Sequence, residues 1–197
     1  MLPHVLPYTV GCPDHTAELH LVMAARRFCT ATMAWNYSTE PVESEAGVEL
    51  YPLKIDAGQD LVRLLACDVN GSPYEVPSRM AGRSLQRNKN GSNCVLVGNG
   101  DFRLVPAPHL NGWEIVTDVA VMPALISPTD WPEELEEFVI DIADGAISTL
   151  CALPATWRDT DTAAMKAARF ADRINTVALR ATRDFGQARR GSATTWY

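Results

Sequence analysis

No apolar run in these 197 residues approaches the ~18 consecutive residues of a membrane-crossing helix, so no membrane span is expected. The first residues, Met1-Leu2-Pro3-His4-Val5-Leu6-Pro7, lack a basic flank and hold two prolines, which argues against a secretory signal and for synthesis in the cytoplasm. Cysteine is sparse and odd in number. Cys12, Cys29, Cys67, Cys94 and Cys151 include no Cys-x-x-Cys pair, so buried free thiols are expected and a disulfide framework is not. Basic charge is in deficit, 17 Lys and Arg against 24 Asp and Glu, and a net charge of −7 argues against a general nucleic-acid coat. What is present is ordinary: 47% hydrophobic and 21% charged residues exclude a disordered or collagenous chain. A chain of this length buries roughly two-thirds of its unfolded surface and needs neither disulfides nor metals to fold.

Catalytic and ligand-binding patterns are also scarce. Gly98-Asn99-Gly100 is followed by a strand-like run, which reads as a hairpin turn and not as a phosphate-binding loop. Cys12, His15 and His20 make a poor metal set, because an offset of five on a helix sends the two imidazoles to diverging faces. Asp141 and Asp144 lie three apart with no histidine or nucleophile near in sequence, so a solvated acidic face is expected there. Cys29 and Cys151 have apolar neighbours, which raise a thiol pKa and leave it unreactive. Neither an enzymatic activity, a metal nor a cofactor is expected.

The local patterns divide the chain. Pro13-Asp14 opens a helix over about 14–34, with Leu19, Val22, Met23, Arg26, Cys29, Thr30 and Met33 as its stripe. From 40 to 123 short β-like runs alternate with turns. Val42–Ser44 and Val48–Leu53 can pair across Glu45-Ala46-Gly47. Leu61–Val69 ends at Asn70-Gly71, a strong hairpin signal, and Cys94–Val97 and Phe102–Val105 flank a second hairpin. Trp113–Val121 alternates, and Ser84–Asn93 reads as a polar loop. Asp130-Trp131-Pro132-Glu133 resembles a capping box for a helix over 131–153, in which Gly145 and Ala146 mark close approach of another helix. Thr160 or Thr162 caps a helix over 160–189, striped by Ala163, Ala167, Phe170, Ile174, Val177, Ala181 and Phe185, with Lys166, Arg169, Arg173, Arg180 and Asp184 on another face. Residues 190–197 form a tail. The expected fold is α+β, mainly α: one domain of residues 1–197, a three-helix bundle core with an inserted small antiparallel β unit and an extended C-terminal tail.

Charge is distributed unevenly along this order. Residues 1–130 carry 9 basic and 14 acidic side chains, 131–153 none and 6, and 154–197 carry 8 and 4. The basic last helix lacks aromatic interleaving for nucleic acid, and pairing with the acidic second helix is the simpler reading.

Several motifs occur in a telling order. Gly11-Cys12-Pro13-Asp14 precedes a helix holding Ala24-Ala25-Arg26-Arg27-Phe28-Cys29 and closing on Trp35. Ala46-Gly47-Val48-Glu49-Leu50-Tyr51, Val69-Asn70-Gly71 and Leu104-Val105-Pro106-Ala107-Pro108 follow. Then come Asp144-Gly145-Ala146-Ile147, Leu150-Cys151-Ala152-Leu153-Pro154, Trp157-Arg158-Asp159 and an alanine-rich last helix. Together they cover most of the chain, which resembles the head-to-tail adaptor (connector) proteins of tailed bacteriophages; Met80–Asn93 departs from the pattern. The resemblance implies a structural virion protein of the head–tail neck. Such a protein forms a ring, typically of twelve copies, beneath the portal protein. The ring extends the DNA channel, passes genomic DNA without sequence-specific binding, and docks the tail and its nozzle. It also implies a C-terminal segment set against the portal or a neighbouring subunit, here with Arg189, Arg190, Gly191, Thr195, Trp196 and Tyr197 as docking residues. A ring subunit needs two complementary surfaces. Glu133, Glu136 and Glu137 on one side and Arg169, Arg173 and Arg180 on the other are the subunit-contact candidates. The alternatives are a stopper or nozzle subunit of the same neck, or a small DNA-binding packaging accessory.

Overall fold

The structure, a computed structural model, describes residues 1–76, 92–97, 100–125 and 131–191, with the side chains of 182–191 left aside. The chain divides into two compact units, Met1–Trp35 with Met122–Tyr197, and Asn36–Val121.

The first unit is helical. Leu2–Val5 forms one short helix, α1, continued by a 3₁₀ turn at Leu6–Tyr8. Asp14–Thr32 forms α2, a 3₁₀ turn at Glu133–Phe138 leads into α3 at Val139–Leu150, and α4 spans Thr160–Gly191. α3 touches the other three helices. It is buried almost all round from Ile142 to Ser148, as a helix with apolar residues on every side must be. On α2 the buried residues are Ala17, Leu21, Ala24, Ala25, Phe28, Cys29 and Thr32, while Leu19 and Met23 of the expected stripe are about half exposed. Alanine carries little weight in a hydrophobic pattern, yet its small side chain is what lets neighbouring helices approach. The Phe28 ring fills the gap, 4.8 Å from Phe138 and 6.2 Å from Phe170. α2 stops at Thr32 because Met33 turns into the left-handed region (φ 54°), its N–H donating to the Cys29 carbonyl at 2.8 Å.

α4 buries Ala163, Lys166, Phe170 and Val177, whereas Ala167 is exposed. Its N-terminus is capped by Asp159 and not by Thr160 or Thr162. The Asp159 carboxylate accepts the N–H groups of Asp161 (3.1 Å) and Thr162 (3.0 Å) and the Thr162 hydroxyl (2.6 Å). α4 continues through Gly186 to Gly191; residues 192–197 lie outside the described residues, as do Asp130 and hence the expected capping box.

The second unit holds two antiparallel sheets. The strands are β1 (Asn36–Ser38), β2 (Val42–Glu43), β3 (Leu50–Pro52), β4 (Gln59–Val69), β5 (Ser72–Tyr74), β6 (Asn93–Val97), β7 (Asp101–Val105) and β8 (Glu114–Pro123). One sheet runs β1-β8-β4-β5, with β2 also on β8, and the other runs β3-β7-β6. β8 alternates inward Ile115, Thr117 and Val119 with less buried residues, and β7 alternates Phe102 and Leu104 in the same way. Asn70 (φ 51°) and Gly71 (φ 78°) close the β4–β5 hairpin, since both central residues of this turn need positive φ. β6 and β7 pair as the second hairpin, from Asn93↔Val105 to Val97↔Asp101. The polar stretch Ser84–Asn93 lies outside the described residues up to Gly91.

Two expectations need correction. β2 and β3 do not pair across residues 45–47, for β2 joins β8 and β3 joins β7. The Tyr51 hydroxyl lies 3.1 Å from the Glu45 nitrogen and 3.0 Å from the Val48 carbonyl, and Gly47 N–H donates to Pro108 O at 2.8 Å. These bonds turn the chain from one sheet to the other. Nor is the fold a mainly-α three-helix bundle core with a small β unit. The described residues hold four α-helices, two of them short (4 and 12 residues), and eight strands in two sheets. The expected helix over 131–153 is α-helical only from Val139 to Leu150, being preceded by the tighter Glu133–Phe138 turn. The strands are more numerous than expected because single runs such as 36–38 and 42–43 find partners on β8, information absent from their own patterns.

A Cβ added to Gly145 would lie 2.9 Å from the Phe170 ring, which is itself wedged against Phe28. Gly145→Ala is therefore expected to destabilise by about 1 kcal/mol net in chemical denaturation. An overpacking cost of about 1–3 kcal/mol is offset in part by about 1 kcal/mol of helix propensity. Gly145→Val should fall further.

Candidate functional site

Asp141 and Asp144, one helical turn apart on α3, do not form a solvated face. Asp144 is 6% exposed and accepts a hydrogen bond from Lys166 Nζ, itself 6% exposed, at 2.5 Å. Asp141 accepts one from Arg173 Nε at 2.9 Å. The order is antiparallel: Lys166, Phe170 and Arg173 along α4 meet Asp144, Gly145 and Asp141 along α3. Aromatic faces complete the cationic sites. The Lys166 ammonium lies 4.5 Å from the Tyr8 ring centroid, and the Arg173 guanidinium 5.6 Å from that of Phe138. Arg27 lies similarly over Phe170, at 5.5 Å. Every charged group in this seam is held by a neighbour in the same unit.

Reasoning from sequence placed Lys166 on a polar face and missed the buried pair. The signal was present. Lys166 sits three residues after Ala163 and four before Phe170, an inward position, and Asp144 lies between Ala143 and Gly145 inside an apolar run.

The other candidates fall at distinct places. Glu133, Glu136 and Glu137 are exposed on the 3₁₀ turn before α3. Arg169 and Arg180 are exposed on α4, whereas Arg173 is half-buried and engaged with Asp141. Gly145 meets the Phe170 ring and Ala146 is fully buried. Arg189, Arg190 and Gly191 belong to the last turn of α4, while Thr195, Trp196 and Tyr197 lie outside the described residues.

All five cysteines are free and buried. Burial pushes the Cys29 thiol up to about 12 and raises Cys151, aided there by Asp159, and Cys12, aided by Asp14. Such thiols stay protonated near neutrality and are poor nucleophiles. His20, expected beside Cys12 only as a weak metal candidate, shares a 2.7 Å hydrogen bond with Thr149, and desolvation lowers its pKa. Among the described residues no three His, Cys, Asp or Glu side chains come together as a metal site, and no helix is long and apolar enough to cross a membrane. A cavity of about 420 Å³ is lined by Met1, Leu2, Pro3, Glu18, Leu21, Val22 and Trp131. Its lining is mostly apolar, with a single carboxylate and no nucleophile or imidazole.

The family model of the SU10 adaptor protein matches residues 13–194, nearly the whole chain. The chain belongs to the SU10 adaptor protein family. Membership makes it a structural adaptor of a bacteriophage virion, in agreement with the ordered motifs from Gly11 to Asp159. No curated protein matches the chain.

For this adaptor, removing one partner of the buried pair leaves the other charge stranded. Lys166→Met is expected to cost about 3–5 kcal/mol, and Lys166→Met with Asp144→Leu to recover most of it, as read by urea denaturation. The Asp159 cap adds an acid-side dependence. Its pKa is lowered, chiefly by the Thr162 hydroxyl and then by backbone N–H groups. The stability it supplies is therefore full above the ordinary aspartate pKa and is lost as pH falls through the depressed native value. Asp159→Ala should flatten that part of the melting-temperature profile.

Proposed function

We propose that this protein is one subunit of a ring, of twelve copies as the resemblance implies, that sits beneath the portal, extends the DNA channel and docks the tail. Family membership supports the adaptor role, and the disposition of charge in the helical unit supports the ring. Asp141, Asp144, Lys166 and Arg173 neutralise one another inside the unit, yet Glu133, Glu136 and Glu137 remain exposed on one element and Arg169 and Arg180 on another. Two surfaces of opposite sign on a single chain are what a head-to-tail contact between copies requires. This separation of spent from exposed charge is the observation that carries the reading.

The C-terminal residues are assigned to docking on the portal or on a neighbouring subunit. Arg189 and Arg190 provide bidentate donors for carboxylates, and Trp196 and Tyr197 are anchors that lose few rotamers on burial. Gly191 leaves the chain free to turn at the end of α4. The role is structural and not enzymatic, and DNA passes without sequence-specific contacts. A net charge of −7 suits such passage, since phosphate binding scales with basic contacts.

The test is charge reversal. Exposed ion pairs contribute up to about 1 kcal/mol each, so Arg169→Glu with Arg180→Glu should weaken each interface by roughly tenfold. Native mass measurement on neck assemblies should then show incomplete rings, restored when Glu133, Glu136 and Glu137 are reversed to lysine on the same chain. Unchanged rings would refute these surfaces as the subunit contact. Independently, Trp196→Ala should cost roughly 2 kcal/mol of docking if it behaves as an interface hot spot. Its expected phenotype is heads that fail to retain tails, with the melting temperature of the free chain unaltered.

A further inference from the structure

One face of the helical unit carries apolar surface that none of the described residues covers. The cavity of about 420 Å³ opens there between α1 and α2, with Leu2 and Pro3 on one side, Leu21 and Val22 on the other, and Trp131 beside them. Glu18 is the one charged side chain of this lining. Around the cavity the apolar surface continues, for Trp131, Leu19 and Met23 are exposed, the last two one turn apart on α2. Carboxylates frame the patch. Glu133 and Glu134 follow directly on Trp131-Pro132, and both are exposed. A tryptophan left in water beside a concave apolar surface marks an interface.

Reach decides which copy can fill it with the aromatic pair Trp196-Tyr197. α2 and α4 run in the same direction, because both are antiparallel to α3. His20 meets Thr149 and Phe28 meets Phe138 along one helix, while Lys166 meets Asp144 and Arg173 meets Asp141 along the other. Phe28 packs against Phe170, so the two rings mark one level of the helical unit. From that level α4 advances 21 residues to Gly191, about 31 Å at 1.5 Å per residue. The cavity lies the other way, at Val22, about 9 Å back along α2. Trp196 follows Gly191 by five residues, which span at most about 18 Å when fully extended. The pair cannot return to the cavity of its own chain. It can enter that of another copy.

Resting on the assignment of the C-terminal residues to docking, we propose that their receptor is this cavity on the neighbouring copy, entered by Trp196. The chemistry matches at each point. A volume of about 420 Å³ lies within the ~300–1,000 Å³ of ligand pockets and accommodates an indole. Trp131 offers an aromatic face for ring packing, Leu21 and Val22 an apolar wall, and Glu18 the acceptor that a buried indole N–H needs. Arg189 and Arg190, which precede the aromatic pair, meet the carboxylates of Glu133 and Glu134 at the rim. Each copy gives one aromatic segment and receives one, a head-to-tail contact that closes by rotation.

The test uses neck assemblies built from equal amounts of full chain carrying light or heavy nitrogen, with Trp196→p-benzoylphenylalanine as the photoreactive probe. After irradiation, peptide mapping should find the probe linked to Met1–Pro3, Val22 or Trp131. About half of the linked pairs should join a light to a heavy peptide, as random mixing of copies dictates. Val22→Arg puts a cation into the half-buried apolar wall and should lower the yield of this link by roughly tenfold or more, whereas Val22→Leu should keep it. Where Val22→Arg fails to fold, the isotope map with the unaltered cavity decides alone. Links confined to like isotopes, links to another surface of the neighbour, or an unchanged yield in folded Val22→Arg would each overturn the proposal. Linkage to the portal alone would overturn this receptor and leave the docking role of the C-terminal residues standing. A probe linked to neither would remove both.

Discussion

The helical unit depends on one buried ion pair, Lys166 with Asp144. Both groups are removed from water, and each is tolerable only because the other is there. That mutual need fixes register. Sliding α4 by one turn along α3 would strand a lysine among apolar side chains and withdraw the Phe170 ring from the space that Gly145 leaves open. The Asp141–Arg173 pair, nearer the surface, repeats the same register one turn along α3. The Tyr8 ring extends the arrangement to the N-terminal turn, because the lysine it covers is the one held by Asp144. A single charge thus orders three stretches of chain that are far apart in sequence.

The β unit is ordered by hydrogen bonds instead. β8 serves β1, β2 and β4. The Thr39 and Thr117 hydroxyls share a bond of 2.7 Å beside the backbone bond from Thr39 N–H to Thr117 O. Ser44 holds the approach to β8, donating its hydroxyl to Leu110 O and accepting the Trp113 N–H on the same oxygen. Small hydroxyl side chains here do the joining that short strands cannot do through ladder bonds alone.

How much of this was readable beforehand varied with how local the cause is. The Asn70-Gly71 hairpin was legible because positive φ at two adjacent positions is a demand on those residues themselves. The inward line of Ala163, Phe170 and Val177 was legible because each is apolar at helical spacing. The buried face of α2 was not, since Ala17, Ala24 and Ala25 are selected by the neighbours they admit and not by their own hydrophobicity. The sheet partners of β2 and β3 were equally hidden. Their separation depends on the Tyr51 hydroxyl reaching back to residues 45 and 48, a contact made by one side chain across a turn. Of the contact candidates, the exposed glutamates and arginines stood out as charge, but only geometry could tell Arg173, already engaged, from Arg169 and Arg180.

α4 and α3 are unequal in length, 32 residues against 12. Among the described side chains the last ion pair between them is at Arg173, and α3 begins only two residues before its partner Asp141. From Val177, the last buried side chain described on it, α4 runs another 14 residues to Gly191, about 21 Å at 1.5 Å per residue. Mechanically, the seam is a fulcrum and the remainder of α4 an arm. A tilt of about 5° at the fulcrum carries the tip through roughly 2 Å over that reach, about the translation by which packed helices shift at interfaces when proteins change state. Small adjustments around Gly145 and Phe170 are therefore magnified at the far end of the helix. Displacement imposed at that end returns to the same fulcrum as torque.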